Sequence, residues 1–222
     1  MYPNEFRALL IFPLSAAFAC NFSVAAEPRI SDRDNADWQL AIRRDNLTIF
    51  SRPHPGSSLK EFKAIGSIDA ATGAVHQVID DISNYPNFMP YVTESRLLKL
   101  DGESVIAYQR ISPKLCSDRD YALRIHETSW VTPSGLAYLN RWEPVNEFAP
   151  PKKAGVVRIN LCQGSWLLEP EGPEKTRATY SVYTGIGGII PSFIANHFGQ
   201  TAIEKIFAAV RERVKDPQYT KS

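Results

Sequence analysis

Residues 191–214, PSFIANHFGQTAIEKIFAAVRERV, decide how the rest of the chain is read. At about 100° per residue, Ala195, Phe198, Ala202, Ile203, Ile206, Phe207, Ala209, Val210 and Val214 share one face of a helix. Asn196, His197, Gln200, Thr201, Glu204, Arg211 and Glu212 occupy the opposite face. Pro191 suits the first helical turn, and Asp216-Pro217 ends the pattern. Gly199 weakens the helix by up to about 1 kcal/mol relative to alanine. An apolar face this wide needs a broad partner, and the residues before it supply strands.

Just upstream, TGIGGIIPSFIANHFGQ (184–200) clusters glycines before the proline. A dinucleotide-binding fingerprint requires G-x-G-x-x-G between a strand and a helix of a βαβ unit. The run here is G-x-G-G after antiparallel strands, and the Gly-Lys-Ser/Thr of a phosphate loop is absent. The glycines therefore read as a hinge or as a plain tight turn, because glycine tolerates φ values that other residues resist.

Working back, strands are expected near 92–100, 104–112, 119–129, 135–142, 155–168 and 175–184. Asp101-Gly102, VTPSG (131–135) and EPEGPEK (169–175) separate them as turn signals, which predicts an antiparallel meander. LTIFSR (47–52) and LKEFKAIGSI (59–68) add two strands, giving about eight. DAATGAVHQVIDD (69–81) reads as a helix with Val75, Val78, Ile79 and Ile82 inward and Asp69 or Thr72 as its cap. Trp38–Arg44 reads as a short helix, and NYPNFMPYV (84–92) as a compact connection.

The first residues look like a separate module. ALLIFPLSAAFACNF (8–22) is almost wholly apolar, Arg7 precedes it and small residues at 24–26 follow, the pattern of a secretory signal peptide cleaved after Ala26. The remainder is expected to be periplasmic or secreted. Its charge stays at +1, since the segment removes one acid, Glu5, and one base, Arg7, from totals of 24 and 25. Nothing in that balance suits a nucleic-acid partner. Cys116 and Cys162 then either pair, as an oxidising compartment permits, or remain two small buried side chains.

Four histidines, His54, His76, His126 and His197, show no H-x-x-x-H spacing, so neither a metal nor a cofactor is expected. In SDRDYALRIHE (117–127), strand alternation puts Asp120, Arg124 and His126 on one face and Arg119, Tyr121, Leu123 and Ile125 on the other. In GVVRINLCQGSWLLEP (155–170), Arg158, Asn160 and Cys162 fall with Trp166 and Leu168. Such faces line a polar pocket or lie in solvent. An interior arginine needs a carboxylate or a ligand headgroup, because an unpaired buried charge is costly. The 11% aromatic content, with four tryptophans, fits a core and also an apolar cavity.

Taken in order, KEFKAIGSIDA (60–70), NYPNFMPYVTESRLLK (84–99), CSDRDYALRIHE (116–127), GVVRINLCQGSWLLEP (155–170) and YSVYTGIGGIIPSFIANHFGQ (180–200) resemble a START domain, the StAR-related lipid-transfer family. Its most specific marks are Arg119-Asp120-Tyr121, the spacing from Val157-Arg158 through Gly164 and Trp166 to Pro170, and Ile190-Pro191 leading to Asn196. The resemblance implies an α+β helix-grip fold, a curved antiparallel β-sheet wrapped around a long C-terminal helix with an internal hydrophobic tunnel. It divides the chain into a signal peptide (1–26), a polar lead-in (27–36), the START-like domain (37–215) and a tail (216–222). It implies binding and carriage of a lipid, sterol or other hydrophobic ligand, with transient membrane contact at exchange. Phe198, Ala202, Ile206, Val210, Tyr121, Arg124, Arg158, Trp166 and Tyr180 are expected at the cavity or its lid, and Gly185, Gly187 and Gly188 at a hinge. Arg124 or Arg158 would orient a headgroup or pair with Asp120. The alternative is a cyclase or hydrolase on the same fold, for which His126 with Glu127 or Asp120 offers the best acid–base candidates.

Overall fold

The computed structural model describes residues 37–114, 116–185, 187 and 190–220. The signal-peptide and lead-in expectations, and Gly188 of the hinge, lie outside these residues.

Among the described residues, ten strands form one sheet: β1 Gln39–Arg44, β2 Leu47–Pro53, β3 Lys60–Ile68, β4 Val92–Asp101, β5 Ser104–Ile111, β6 Arg119–Thr132, β7 Gly135–Pro144, β8 Val157–Arg158, β9 Cys162–Gly172 and β10 Lys175–Thr184. Their order is β1-β2-β3-β10-β9-β7-β6-β5-β4, with β8 off this path beside β6. Every pairing is antiparallel except β6 with β8. Two meanders are thus joined where the last strand, β10, pairs with β3, and β1 and β4 remain as free edges, so the sheet curves without closing. Helix α1 (Thr72–Asp80) and a 3-10 segment (Ile82–Asn87) carry the chain from the middle of the sheet to its far edge. Helix α2 (Ser192–Arg213) lies in the concave face, and the short α3 (Pro217–Thr220) follows it.

Local chemistry explains most of these elements. The β4–β5 hairpin turns at Gly102, whose φ is +63°, as the Asp-Gly signal requires. Along β2 and β3, buried and half-buried residues alternate, so Ile49, Phe62, Ala64 and Ile68 enter the core from one face. Gly66 sits where α2 crosses β3. A Cβ there would stand 2.8 Å from a Phe207 ring carbon and 2.9 Å from the Asn46 carbonyl oxygen, so its absence sets the helix-to-sheet distance. The ring of Phe207 also meets Trp166, with centroids 5.2 Å apart.

Four expectations need correction. Trp38–Arg44 is no helix. Gln39–Arg44 pairs with β2 as an edge strand, because so short an isolated helix is marginal while a ladder partner lies one turn away. The Trp38 ring is covered by the Arg52 and Lys63 cations, each 4.6 Å from its centroid. The span 155–168 is broken into β8 and β9, because the Asn146 side-chain amide donates to the Ile159 carbonyl at 2.7 Å and the chain leaves β6 there. That break and β1 raise the strand number from about eight to ten. Neither Asp69 nor Thr72 caps α1: the cap position is Ala71, and Thr72 Oγ1 donates to the Leu136 carbonyl at 2.8 Å, tying the helix to β7.

Candidate functional site

Between the concave face and α2 lies a cavity of about 220 Å³. Strand parity builds its wall. On β6, Tyr121, Leu123 and Ile125 point inward; β9 and β10 add Cys162, Trp166, Tyr180 and Val182. Ile79, Tyr85 and Met89 supply the floor from α1 and the segment after it. Helix α2 supplies the roof with Ala195, Phe198, Gly199, Ala202, Ile203 and Ile206. Trp166 and Tyr180 stack at a tilt, 4.6 Å apart, and Trp142 stands 5.6 Å beyond Tyr180.

The lining is largely apolar, and its thiol and phenol groups are held neutral. Burial pushes the Cys162 thiol up to about 11 and raises the phenols of Tyr85, Tyr121 and Tyr180. The Tyr121 hydroxyl donates to Gln109 Oε1 at 3.0 Å, and the Tyr85 hydroxyl to the Ile79 carbonyl at 2.5 Å, so both rings are fixed. Cys116 and Cys162 are both free thiols. Among the described residues, the charged lining is Lys60 and Asp80. Loss of water pushes Asp80 up to about 6, with the Glu127 carboxylate adding and His76 opposing.

Of the residues singled out from the sequence, Phe198, Ala202, Ile206, Tyr121, Trp166 and Tyr180 all line this cavity. Val210 does not. It is fully buried one turn further along α2, where the helix already rests on the core. Arg124 and Arg158 do not line it either, because each has found a carboxylate elsewhere. Arg124 Nη1 is 3.0 Å from Asp101 Oδ2, at the β4–β5 turn. Arg158 makes a two-pronged bond with Asp120, Nε to Oδ1 at 2.6 Å and Nη2 to Oδ2 at 2.9 Å, and Nη2 also donates to the Pro150 carbonyl. Tyr108 donates to Asp120 Oδ2 at 3.1 Å. Burial alone would raise Asp120, but these bonds overcome it and hold the carboxyl below its usual range.

The glycines divide as well. Gly185 continues the ladder, its N–H donating to the Leu161 carbonyl at 2.9 Å. Gly187 has φ +64°, a left-handed conformation that favours glycine, and an added Cβ would stand 2.9 Å from Val157 Cγ1. The buried Arg119 donates to its carbonyl at 3.4 Å.

Some relevant residues were missed. Asn196, assigned to the polar face, lines the cavity. Its Oδ1 accepts from the Lys60 N–H at 3.1 Å, and its Nδ2 donates to the Ser58 carbonyl at 3.4 Å. Arg211, also assigned there, donates to the Ser67 and Asn46 carbonyls. His126, the enzymatic candidate, is on the outer face of the sheet, whereas His76 is buried on the sheet-facing side of α1, beside Asp80. Both asparagine and arginine on a helix read as solvated, and only the position of β3 and the neighbouring turns reveals backbone partners for them.

An open, curved sheet gripping one long helix over an apolar cavity defines a helix-grip protein of the START-like class. The family described as polyketide cyclase / dehydrase and lipid transport matches residues 68–211, and the chain belongs to it. A STAR-related lipid transfer protein from Xanthomonas axonopodis is similar in structure, with a TM-score of 0.71 and 29% identity over 81% of this chain and 99% of that one. The phosphatidylcholine transfer protein of Mus musculus is 26% identical over 189 residues, 82% of this chain and 88% of its own length. Human StAR-related lipid transfer protein 5 shares the fold, with a TM-score of 0.70 at 18% identity over 82% of this chain and 88% of that one.

Proposed function

We propose that the protein binds one hydrophobic ligand of the lipid class in this cavity and carries it between membranes. The observation that carries the reading is the apolar cavity under one half of α2, walled by the inward residues of β6, β9 and β10. The names of the Xanthomonas and mouse relatives support it. Burying a few hundred Å² of apolar ligand surface at about 25 cal/mol per Å² supplies several kcal/mol of affinity.

The cavity volume adds a requirement. At about 220 Å³ it falls below the range of about 300–1,000 Å³ usual for small-molecule sites. A ligand of lipid size therefore displaces the roof, and the N-terminal half of α2 is the part that moves, with Gly187 as its hinge. Phe193, 72% exposed, and Ile194 beside it stand at that end of the helix as the side chains that would enter a membrane surface during exchange. The apolar segment 8–22, with the pattern of a secretory signal peptide, supports a periplasmic or secreted setting for this work.

Expression of the full chain in a Gram-negative host, fractionation, and gentle native mass spectrometry of the recovered protein test this reading. A processed chain in the periplasmic fraction carrying about one lipid per protein is expected. A chain that is recovered empty and takes up no lipid or sterol from labelled vesicles would overturn it.

A further inference from the structure

His76 and Asp80 are four residues apart on α1, so both project from one face of the helix toward the sheet. On the sheet, Glu127 of β6 and Asn140 of β7 are direct cross-strand partners and share a face. His76 Nε2 stands 3.1 Å from Glu127 Oε1 and 3.3 Å from Asp80 Oδ2, and ligand atoms of the three residues all lie within 4.8 Å of one another. The imidazole is held by stacking on Tyr138, with ring centroids 4.0 Å apart and planes 17° from parallel.

Two buried atoms at this place have no hydrogen-bond partner. His76 is 9% exposed, yet its Nε2 makes no hydrogen bond of acceptable geometry. Asn140 is 3% exposed; its Nδ2 donates to Asp80 Oδ1 at 2.9 Å, and its Oδ1 is left unpaired. An orphaned buried polar atom costs about 1–3 kcal/mol, so the imidazole nitrogen between two carboxylates requires an explanation. An imidazolium would aim its N–H at one of the two carboxylates, and neither contact of His76 Nε2 has hydrogen-bond geometry. A metal ion accounts for the histidine, since it accepts the electron pair of the imidazole nitrogen together with those of the two carboxylates. The two His76 distances, 3.1 and 3.3 Å, lie close to the separation of about 3.3–3.6 Å between neighbouring ligands of a tetrahedral zinc ion with bonds of about 2.0–2.2 Å.

We propose that His76, Asp80 and Glu127 bind one divalent transition-metal ion of the zinc class, with the Asn140 amide orienting Asp80. Three protein ligands leave a fourth position open. Asp80 and Asn140 both line the cavity, so that position faces the interior, where it takes water or an anionic oxygen of a bound molecule. The site stands on its own geometry and does not depend on the lipid reading.

The test uses untagged full chain, stripped with a chelator, titrated with zinc against a chromophoric competitor and, in parallel, with cobalt(II) by visible absorption. One zinc per chain with a Kd of about 10 μM or tighter is expected, with the intense visible bands of a low-coordinate cobalt ion. Glu127→Gln leaves the fold intact, because the Glu127 side chain is 41% exposed, and weakens zinc by about ten-fold or more. His76→Asn removes the nitrogen ligand and the cobalt bands with it, provided circular dichroism shows a folded chain. Absence of zinc uptake by the parent protein at about 100 μM overturns the proposal and leaves the cluster as an ion pair. Uptake unchanged in Glu127→Gln also overturns it, by locating the ion elsewhere, the free thiols being the obvious place.

Discussion

The two halves of α2 meet the same sheet on different terms. From Ile203 onward the helix is seated: Phe207 and Val210 are fully buried, Ile203 and Val214 nearly so, and Arg211 fastens it to the Ser67 and Asn46 carbonyls. From Ser192 to Ala202 it spans a cavity, with only Ala195 buried and Phe193 and Ile194 exposed. One half contributes stability through close packing. The other leaves apolar surface incompletely packed, which is what a binding site requires. The crossing at Gly66 makes the first half tight, and the aromatic group of Trp142, Trp166 and Tyr180 keeps the wall of the second half from collapsing inward.

The sharpest break of this contrast is Phe207→Ala, which opens a void between Gly66 and Trp166. We expect a loss of about 3–5 kcal/mol in denaturant unfolding, against about 1 kcal/mol or less for Phe198→Ala over the cavity. Equal losses would erase the distinction between the halves.

A comparable effect is expected from Asp120→Asn, because Arg158 is then left buried without its counter-charge. Breaking such a pair costs about 3–5 kcal/mol. The pair also underpins the approach to α2, since Val157, beside Arg158, packs under Gly187. Asp120 has a folded-state pKa held below its ordinary value, so its contribution is fully present above the unfolded pKa of about 4 and is lost as pH falls through the folded value. Melting curves of parent and variant should therefore converge as the pH is lowered below about 4. A gap that stays constant to acid pH would show that the charge does not stabilise this end.

Smaller in stability but larger in function is Ala202→Phe, which fills the roof of the cavity. The change in unfolding free energy should stay within about 1–2 kcal/mol, while uptake of a fluorescent fatty acyl or sterol probe is lost. Undiminished uptake would move the binding site elsewhere. The least destabilising is Phe193→Asp, expected to alter stability by at most about 0.5 kcal/mol. Transfer of ligand between anionic vesicles, followed by fluorescence dequenching, should slow several-fold with equilibrium affinity unchanged. An unaffected rate would remove Phe193 from membrane contact.

How far the sequence foretold this follows from the range of each signal. The helical period of 191–214 and the turn residues between strands are local, and α2 and the two meanders were legible from them. Strand parity correctly separated Tyr121 and Leu123 from Asp120 and Arg124, but parity does not say which face turns inward. That is decided by where α2 lies. Arg158 was carried to the wrong side because alternation was counted through Asn160, where the chain breaks step. Val210 was assigned to the cavity because periodicity gives the face of a helix and not the point along it where a wall ends. His76 and Asp80 had the i, i+4 spacing of co-facing residues, but Glu127 and Asn140 join them only through tertiary structure.

The bonds of Asn196 to the Lys60 N–H and the Ser58 carbonyl set a time scale for traffic through the cavity. These two hydrogen bonds fasten the roof to the start of β3 and the turn before it. Each contributes about 0.5–1.5 kcal/mol net, together a factor of about 5–150 between fastened and released populations. A latch of that strength admits cargo by a small local opening, with the seated half of the helix undisturbed. It makes the molecule a vessel whose residence time is governed by how well its contents fit, since the closure itself holds so little.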